Sequence, residues 1–149
     1  MKICFLMYPW EKVHPKQDST LRIIHECVKR GHEVSITTPS NLAIRDSVTM
    51  GFCNVFTKNT TTTSNMVSFY TNADFKKEML PLKEFDVIVM RDNPPMDPLV
   101  LNFLDSIKDD VFIMNSVQGL RVANNKIYTA SYSDPNNELT APYYGYLNF

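Results

Sequence analysis

Two hydrophobic periods alternate along the chain. Lys2–Met7 is a short apolar run, and Ser19–Arg30 then sets Leu21, Ile24, Cys27 and Val28 at helical spacing, with Ile23 flanking. Asp18-Ser19-Thr20 offers caps for that helix, Lys29-Arg30 suit the dipole of its last turn, and Gly31 ends it. His32–Thr38 alternates Val34 and Ile36 with small polar residues, the period of a strand. Strand, helix and strand in succession predict a βαβ unit, parallel and right-handed. The sharpest pattern comes later. Val87-Ile88-Val89-Met90 runs into the polar Arg91-Asp92-Asn93 and stops at Pro94-Pro95. A short apolar run bounded by breakers predicts a strand buried on both faces, as in a parallel sheet.

The remaining pattern is less regular. Pro39-Ser40-Asn41 is read as capping a short turn of helix over Leu42–Asp46. Ser47–Lys58 and Met66–Asn72 read as extended segments joined by a polar Thr-rich loop, pairing antiparallel at the sheet edge or as a flap. Phe75–Leu80 reads as a short helical piece before Pro81. Asp97-Pro98 opens a helix with Pro at its first position, carrying Leu99, Leu101, Phe103, Leu104 and Ile107 and ending at Asp109-Asp110. Val111–Met114 predicts another short buried strand, and Val117–Val122 and Asn125–Ala130 predict helical turns. From Ser131 the pattern dissolves into a loop and an aromatic tail with Tyr143, Tyr144, Tyr146 and Phe149. The expected fold is one α/β domain over residues 1–130 with a mostly parallel sheet, followed by a tail over 131–149.

Composition narrows the function. With 149 residues, 44% of them apolar and 21% charged, the chain suits one globular domain. A net charge of −1 gives no bulk pull toward nucleic acid or an acidic membrane face. No apolar run approaches the ~18–20 residues of a membrane span, and the run at Met1–Met7 is too short for a signal-peptide core. Three cysteines, Cys4, Cys27 and Cys53, cannot all pair, and none forms a Cys-x-x-Cys unit. Buried reduced thiols of a cytoplasmic protein are therefore expected, with no metal site. His14, His25 and His32 are too scattered for metal or acid–base work.

In an open α/β sheet, ligands bind beyond the carboxyl ends of the strands. That rule brings Arg91 forward, because its guanidinium fork suits a carboxylate held bidentately. The plainer alternative is an ion pair with Asp92 or Asp86. Asp92 could receive an amino group or orient Arg91, or it could cap the turn before Pro94. Asp18 and Ser19 open the first helix, where they cap it and offer backbone N–H groups to an anion. Asn115, at a strand end, could bond a ligand or cap the next turn. Arg121 could face a ligand or pair with a neighbouring acid.

Met90-Arg91-Asp92-Asn93-Pro94-Pro95-Met96-Asp97 resembles the Met-Arg-x-Asp-Pro-Pro-Phe-Asp segment of bacterial glutathione synthetases, with the acid moved next to Arg91 and Asn93 in the family's Asp position. Asp18-Ser19-Thr20, Arg30-Gly31-His32-Glu33-Val34, Thr38–Asp46, and Met114-Asn115-Ser116 through Leu120-Arg121 to Asn125-Lys126-Ile127-Tyr128 are similar to further segments of that family in the same order. The resemblance implies a Rossmann-like, three-layer pre-ATP-grasp domain with helices on both faces. The intact family joins γ-glutamylcysteine to glycine with ATP and magnesium. The resemblance further implies that Arg91, Asp92, Asp18, Ser19 and Asn115 meet the peptide substrate and that Lys126 meets ATP phosphate when an ATP-grasp domain is present. The four glycines are dispersed, without a phosphate-cradling loop, so this chain alone is expected to hold neither ATP nor magnesium and not to ligate. It is expected to be an N-terminal fragment or a stand-alone relative, as a monomer or a homodimer, that binds a small peptide or carboxylate. An alternative is a non-catalytic ligand-binding or oligomerisation module. Arg-Gly-His-Glu-Val alone also fits the N-terminal half of a nucleotide-sugar glycosyltransferase.

Overall fold

The computed structural model describes residues 1–92, 96–123, 128 and 135–136. The predicted helical turn at 125–130, the Pro94-Pro95 pair and the aromatic tail lie outside the described residues, Tyr128 and Pro135-Asn136 excepted. Seven strands form one sheet. They are β1 (Lys2–Met7), β2 (Glu33–Thr37), β3 (Leu42–Arg45), β4 (Val48–Phe56), β5 (Phe75–Pro81), β6 (Val87–Arg91) and β7 (Phe112–Met114). The helices are α1 (Ser19–Lys29), α2 (Met66–Thr71), α3 (Pro98–Asp105) and α4 (Val117–Ala123).

The parallel part of the sheet runs β2-β1-β6-β7. Beyond β2 the sheet turns antiparallel: β4 pairs with β2 over Ser35–Val55 and Ile36–Asn54, with β3 over Leu42–Gly51 to Arg45–Val48, and with β5 over Met50–Pro81 to Phe56–Phe75. The sheet is therefore mixed, with the βαβ unit and the Val87 strand forming its parallel part.

Alternation along β1 explains why the sheet is covered on both sides. Ile3, Phe5 and Met7 point to a core shared with Val34, Ile36, Leu21, Ile24 and Phe69, beneath α1 and α2. Cys4 and Leu6 point the other way, joining Ile88, Met90, Val100, Leu101, Leu104 and Val117 beneath α3 and α4. Each fully buried Leu, Ile or Phe there contributes about 1.5–3 kcal/mol. An exposed ion pair such as Arg30–Glu26 is solvated and screened, so the two apolar faces hold the fold. All three cysteines are free, and Cys4 and Cys53 are buried. The adjacent Cys53 sulfur and burial push the Cys4 thiol well up, so it stays protonated. His25 packs edge-on against Phe69 at 4.8 Å, joining α1 to α2.

Three predicted elements are corrected. Leu42–Asp46 is not helical. The helical signal at Pro39-Ser40-Asn41 is used up in a single 3-10 turn over those residues, and the chain leaves it extended as β3. Phe75–Leu80 is the strand β5, where seven pairs with β4 override a Lys-rich stretch that reads locally as helix. Met66–Thr71 is the helix α2, started by Asn65, whose side chain accepts from the Ser68 N–H at 3.1 Å. Its aromatic and β-branched residues suit an extended chain, but Phe69 is buried only if the segment coils against α1.

Candidate functional site

Two strand ends and one helix start converge at the carboxyl edge of the parallel strands. The chain leaves β1 at Tyr8 and β6 at Asp92, and α1 begins beside both. Asp18 caps α1, its Oδ1 accepting from the Leu21 N–H at 2.8 Å, while its Oδ2 accepts the Tyr8 hydroxyl. Burial pushes the Tyr8 phenol up, and the hydrogen bond and charge of Asp18 add to this, opposed by Thr20 and Arg91.

Arg91 closes the corner from the other side. Its Nε donates to Thr20 Oγ1 and its Nη2 to Ser19 Oγ, both at 3.0 Å. Neither predicted acid partner holds it. Asp86 instead accepts from the Lys2 backbone N–H at 2.7 Å. Among the described residues Arg91 forms no ion pair, so two neutral hydroxyls orient its charge without cancelling it.

These residues open onto a cleft of about 500 Å³, lined by Asp18, Ser19, Thr20, Arg91, Asp92 and Asn115 on its polar side. Met90, Met96 and Leu120 line its apolar part. The structure thus brings Arg91, Asp92, Asp18, Ser19 and Asn115 to one place, as the strand-end rule requires. Lys126 lies outside the described residues. Arg121 does not face the cleft as a free charge. It donates to Asn102 Oδ1 at 2.9 Å and pairs with Asp105, clasping α4 to α3. That guanidinium holds the Asp105 carboxyl below its usual range.

Sequence reasoning missed Tyr8. It sits one residue past β1, and no periodicity marks such a position. The available signal was its place at the end of the strand next to β6, the same rule that picked out Arg91.

A polar cleft over the carboxyl edge of a sheet that helices cover on both faces defines a three-layer, Rossmann-like α/β domain. The family model of the prokaryotic glutathione synthetase N-terminal domain matches residues 1–121. The chain belongs to that family. It is similar to glutathione synthetase of Synechocystis sp., with 30% identity over 142 residues that cover 89% of this chain and 44% of the relative. Glutathione synthetases of Escherichia coli O6:H1 and Shewanella oneidensis are 30% and 28% identical, each over 90% of this chain and 42% of the relative. The chain thus spans less than half the length of these curated relatives.

Such a family suggests ATP and magnesium, and the donors present can be tested for both. Among the described residues no group of three or more His, Cys, Asp or Glu side chains could hold a metal ion. Gly51 is packed against Leu82 and Cys53, and Gly31 closes a helix, so neither opens a backbone cradle for phosphate. Among the described residues, no helix is long and apolar enough to cross a membrane.

Proposed function

We propose that this chain is the peptide-substrate-binding part of a glutathione synthetase-like, ATP-dependent carboxylate–amine ligase, working in the cytoplasm on γ-glutamylcysteine or a close relative. One observation carries the reading: Arg91 is fixed by Ser19 and Thr20 with its charge uncancelled, inside a polar cleft at a strand edge. A substrate carboxylate is the natural partner for that charge. Backbone N–H groups in the first turn of α1 and the positive end of its dipole favour the same anion. Asp92 and Asn115, on the same cleft, supply an acceptor for an amino group and a carboxamide for a peptide bond. On this reading ATP and magnesium are held outside residues 1–121, and this chain alone binds peptide without ligating it. A homodimer is compatible with the reading but does not contribute to it.

Calorimetry with γ-glutamylcysteine tests the proposal. Binding by the wild type is expected, weakened about 10–100-fold in Arg91→Ala and not restored in Arg91→Lys, which lacks the fork. Equal affinity in all three proteins would overturn it. An ADP-release assay with γ-glutamylcysteine, glycine and Mg-ATP is expected to show no turnover by the purified chain, and turnover would contradict the division of labour.

A further inference from the structure

The Arg91 cleft does not end at Tyr8. Tyr8 also borders a narrow neck with Trp10, Thr38, Asn41 and Asn54. Those last four residues border a larger hollow of about 760 Å³ over β4 and β5. Cleft, neck and hollow therefore share walls in sequence along one edge of the sheet.

Register puts both ends on one side of the sheet. Phe5 pairs with Ile36, Ile36 with Asn54, and Asn54 with Lys77, so Asn54 and Lys77 share the face of Phe5 and α1. Met7, two residues on from Phe5, pairs with Arg91 on that same face. Among the described residues, the Asn54 carboxamide and the Lys77 ammonium have no partner. Glu78, also on the wall of the hollow, already pairs with Lys76. Trp10 forms a firm apolar side, stacked on Tyr70 at 5.0 Å and set edge-on to Phe56 and Phe75 at 5.8 and 5.2 Å. Phe52, further along β4 on the same wall, is 50% exposed.

We propose that cleft and hollow are one trench, and that the hollow receives the C-terminal part of an extended, carboxylate-ended peptide whose first carboxylate sits at Arg91. This rests on the function proposed above and extends its substrate class. The Asn54 carboxamide can donate to and accept from a peptide bond, and Lys77 meets the distal carboxylate. Trp10 and Phe52 take an apolar side chain. Length sets the class. β6 and β5 are four strand spacings apart, about 19 Å. An extended peptide advances about 3.3–3.6 Å per residue, so a dipeptide covers under half the trench, and a chain of about four residues covers the three spacings to Asn54 on β4 and leaves the last to the long Lys77 side chain reaching back from β5.

Trp10 is the single tryptophan of the chain, so its emission reports occupancy of the hollow directly. γ-Glutamylcysteine and a γ-glutamyl tetrapeptide, as free acid and as C-terminal amide, are titrated by fluorescence and calorimetry in parallel. The tetrapeptide acid is expected to shift Trp10 emission and to bind about tenfold tighter than the dipeptide. Amidation or Lys77→Ala is expected to weaken the tetrapeptide about fivefold and to leave the dipeptide within about twofold. Asn54→Leu gives a second, independent loss. A tetrapeptide that binds no tighter than the dipeptide, with Trp10 silent at calorimetric saturation, overturns the trench and leaves the Arg91 reading intact. If neither peptide binds, the Arg91 reading itself falls.

Discussion

At the scale of single residues, a few hydroxyls set the chemistry of the corner. Arg91 is presented to the cleft because Ser19 and Thr20 accept from it while Asp18 is occupied by Tyr8 and the Leu21 N–H. An acid beside Arg91 would cancel the charge that a ligand needs. The Tyr8 pKa is raised, first by burial and then by Asp18. For a group whose folded pKa lies above its unfolded value near 10, the stabilising contribution is present below that value and is lost as pH rises through the folded pKa. The expected outcome is a late-ionising tyrosine in the alkaline ultraviolet titration of the wild type, missing in Tyr8→Phe. A titration unchanged by the substitution would contradict this. Arg91 was legible from the sequence because an apolar run ends on it. Its true partners were not, because Ser19 and Thr20 lie some seventy positions away, and only folding brings them within 3.0 Å.

At the scale of elements, the segments with strong local chemistry were legible, and those shaped by distant partners were not. α1 reads cleanly because its cap, its apolar spacing and its terminator all agree. Gly31 has φ +76°, its N–H bonds the Val28 carbonyl, and the His32 N–H bonds the Cys27 carbonyl, closing the helix in a Schellman turn. A Cβ at Gly31 would touch nothing within 4 Å, so Gly31→Ala carries a purely conformational cost. About 1 kcal/mol is expected, or a fall in Tm of about 2–4 °C, measured by thermal melting with peptide binding unaffected. The β3–β4 hairpin was missed because its turn, Asp46-Ser47, takes φ values of 51° and 62° without the usual glycine or asparagine. β5 and α2 were exchanged for each other in the reading of the sequence. Among the described residues β5 pairs with β4 on one edge only, and its mixed Lys and Glu residues blur any alternation. The signal for α2 was a single capping asparagine.

At the scale of the whole molecule, the division into two cores was legible in outline. A run such as Val87–Met90, with no polar alternation, requires cover on both sides, and the structure supplies α1 and α2 on one face and α3 and α4 on the other. The sequence placed an antiparallel pair at the sheet edge but gave Val48–Phe56 the wrong partner: it is β3 and β5, with β4, that carry the sheet past β2 and form the floor of the hollow beside the cleft. Stability should be graded across this sheet. β1 has a strand on each side and a core on each face, whereas β5, among the described residues, is paired only with β4. In hydrogen exchange, amides of 2–7 and 88–91 are expected to exchange only through global unfolding, and those of 75–81 much sooner. Faster exchange in β1 than in β5 would refute this grading.

The central place of β1 also bears on how the protein is made. β1 is apolar on both faces, needs a partner along both edges, and is made before either partner. One partner, β2, follows promptly as the second half of the βαβ unit. The other edge is closed by β6, and even the first bond across that gap, from the Lys2 N–H to Asp86, spans 84 positions of chain. Until Arg91 has emerged, the nascent chain carries an open, hydrophobic strand edge along β1, the condition under which growing chains associate with one another or with chaperones. Arg91, which completes the polar corner with Ser19 and Thr20, thus comes from the same segment whose arrival ends that exposure.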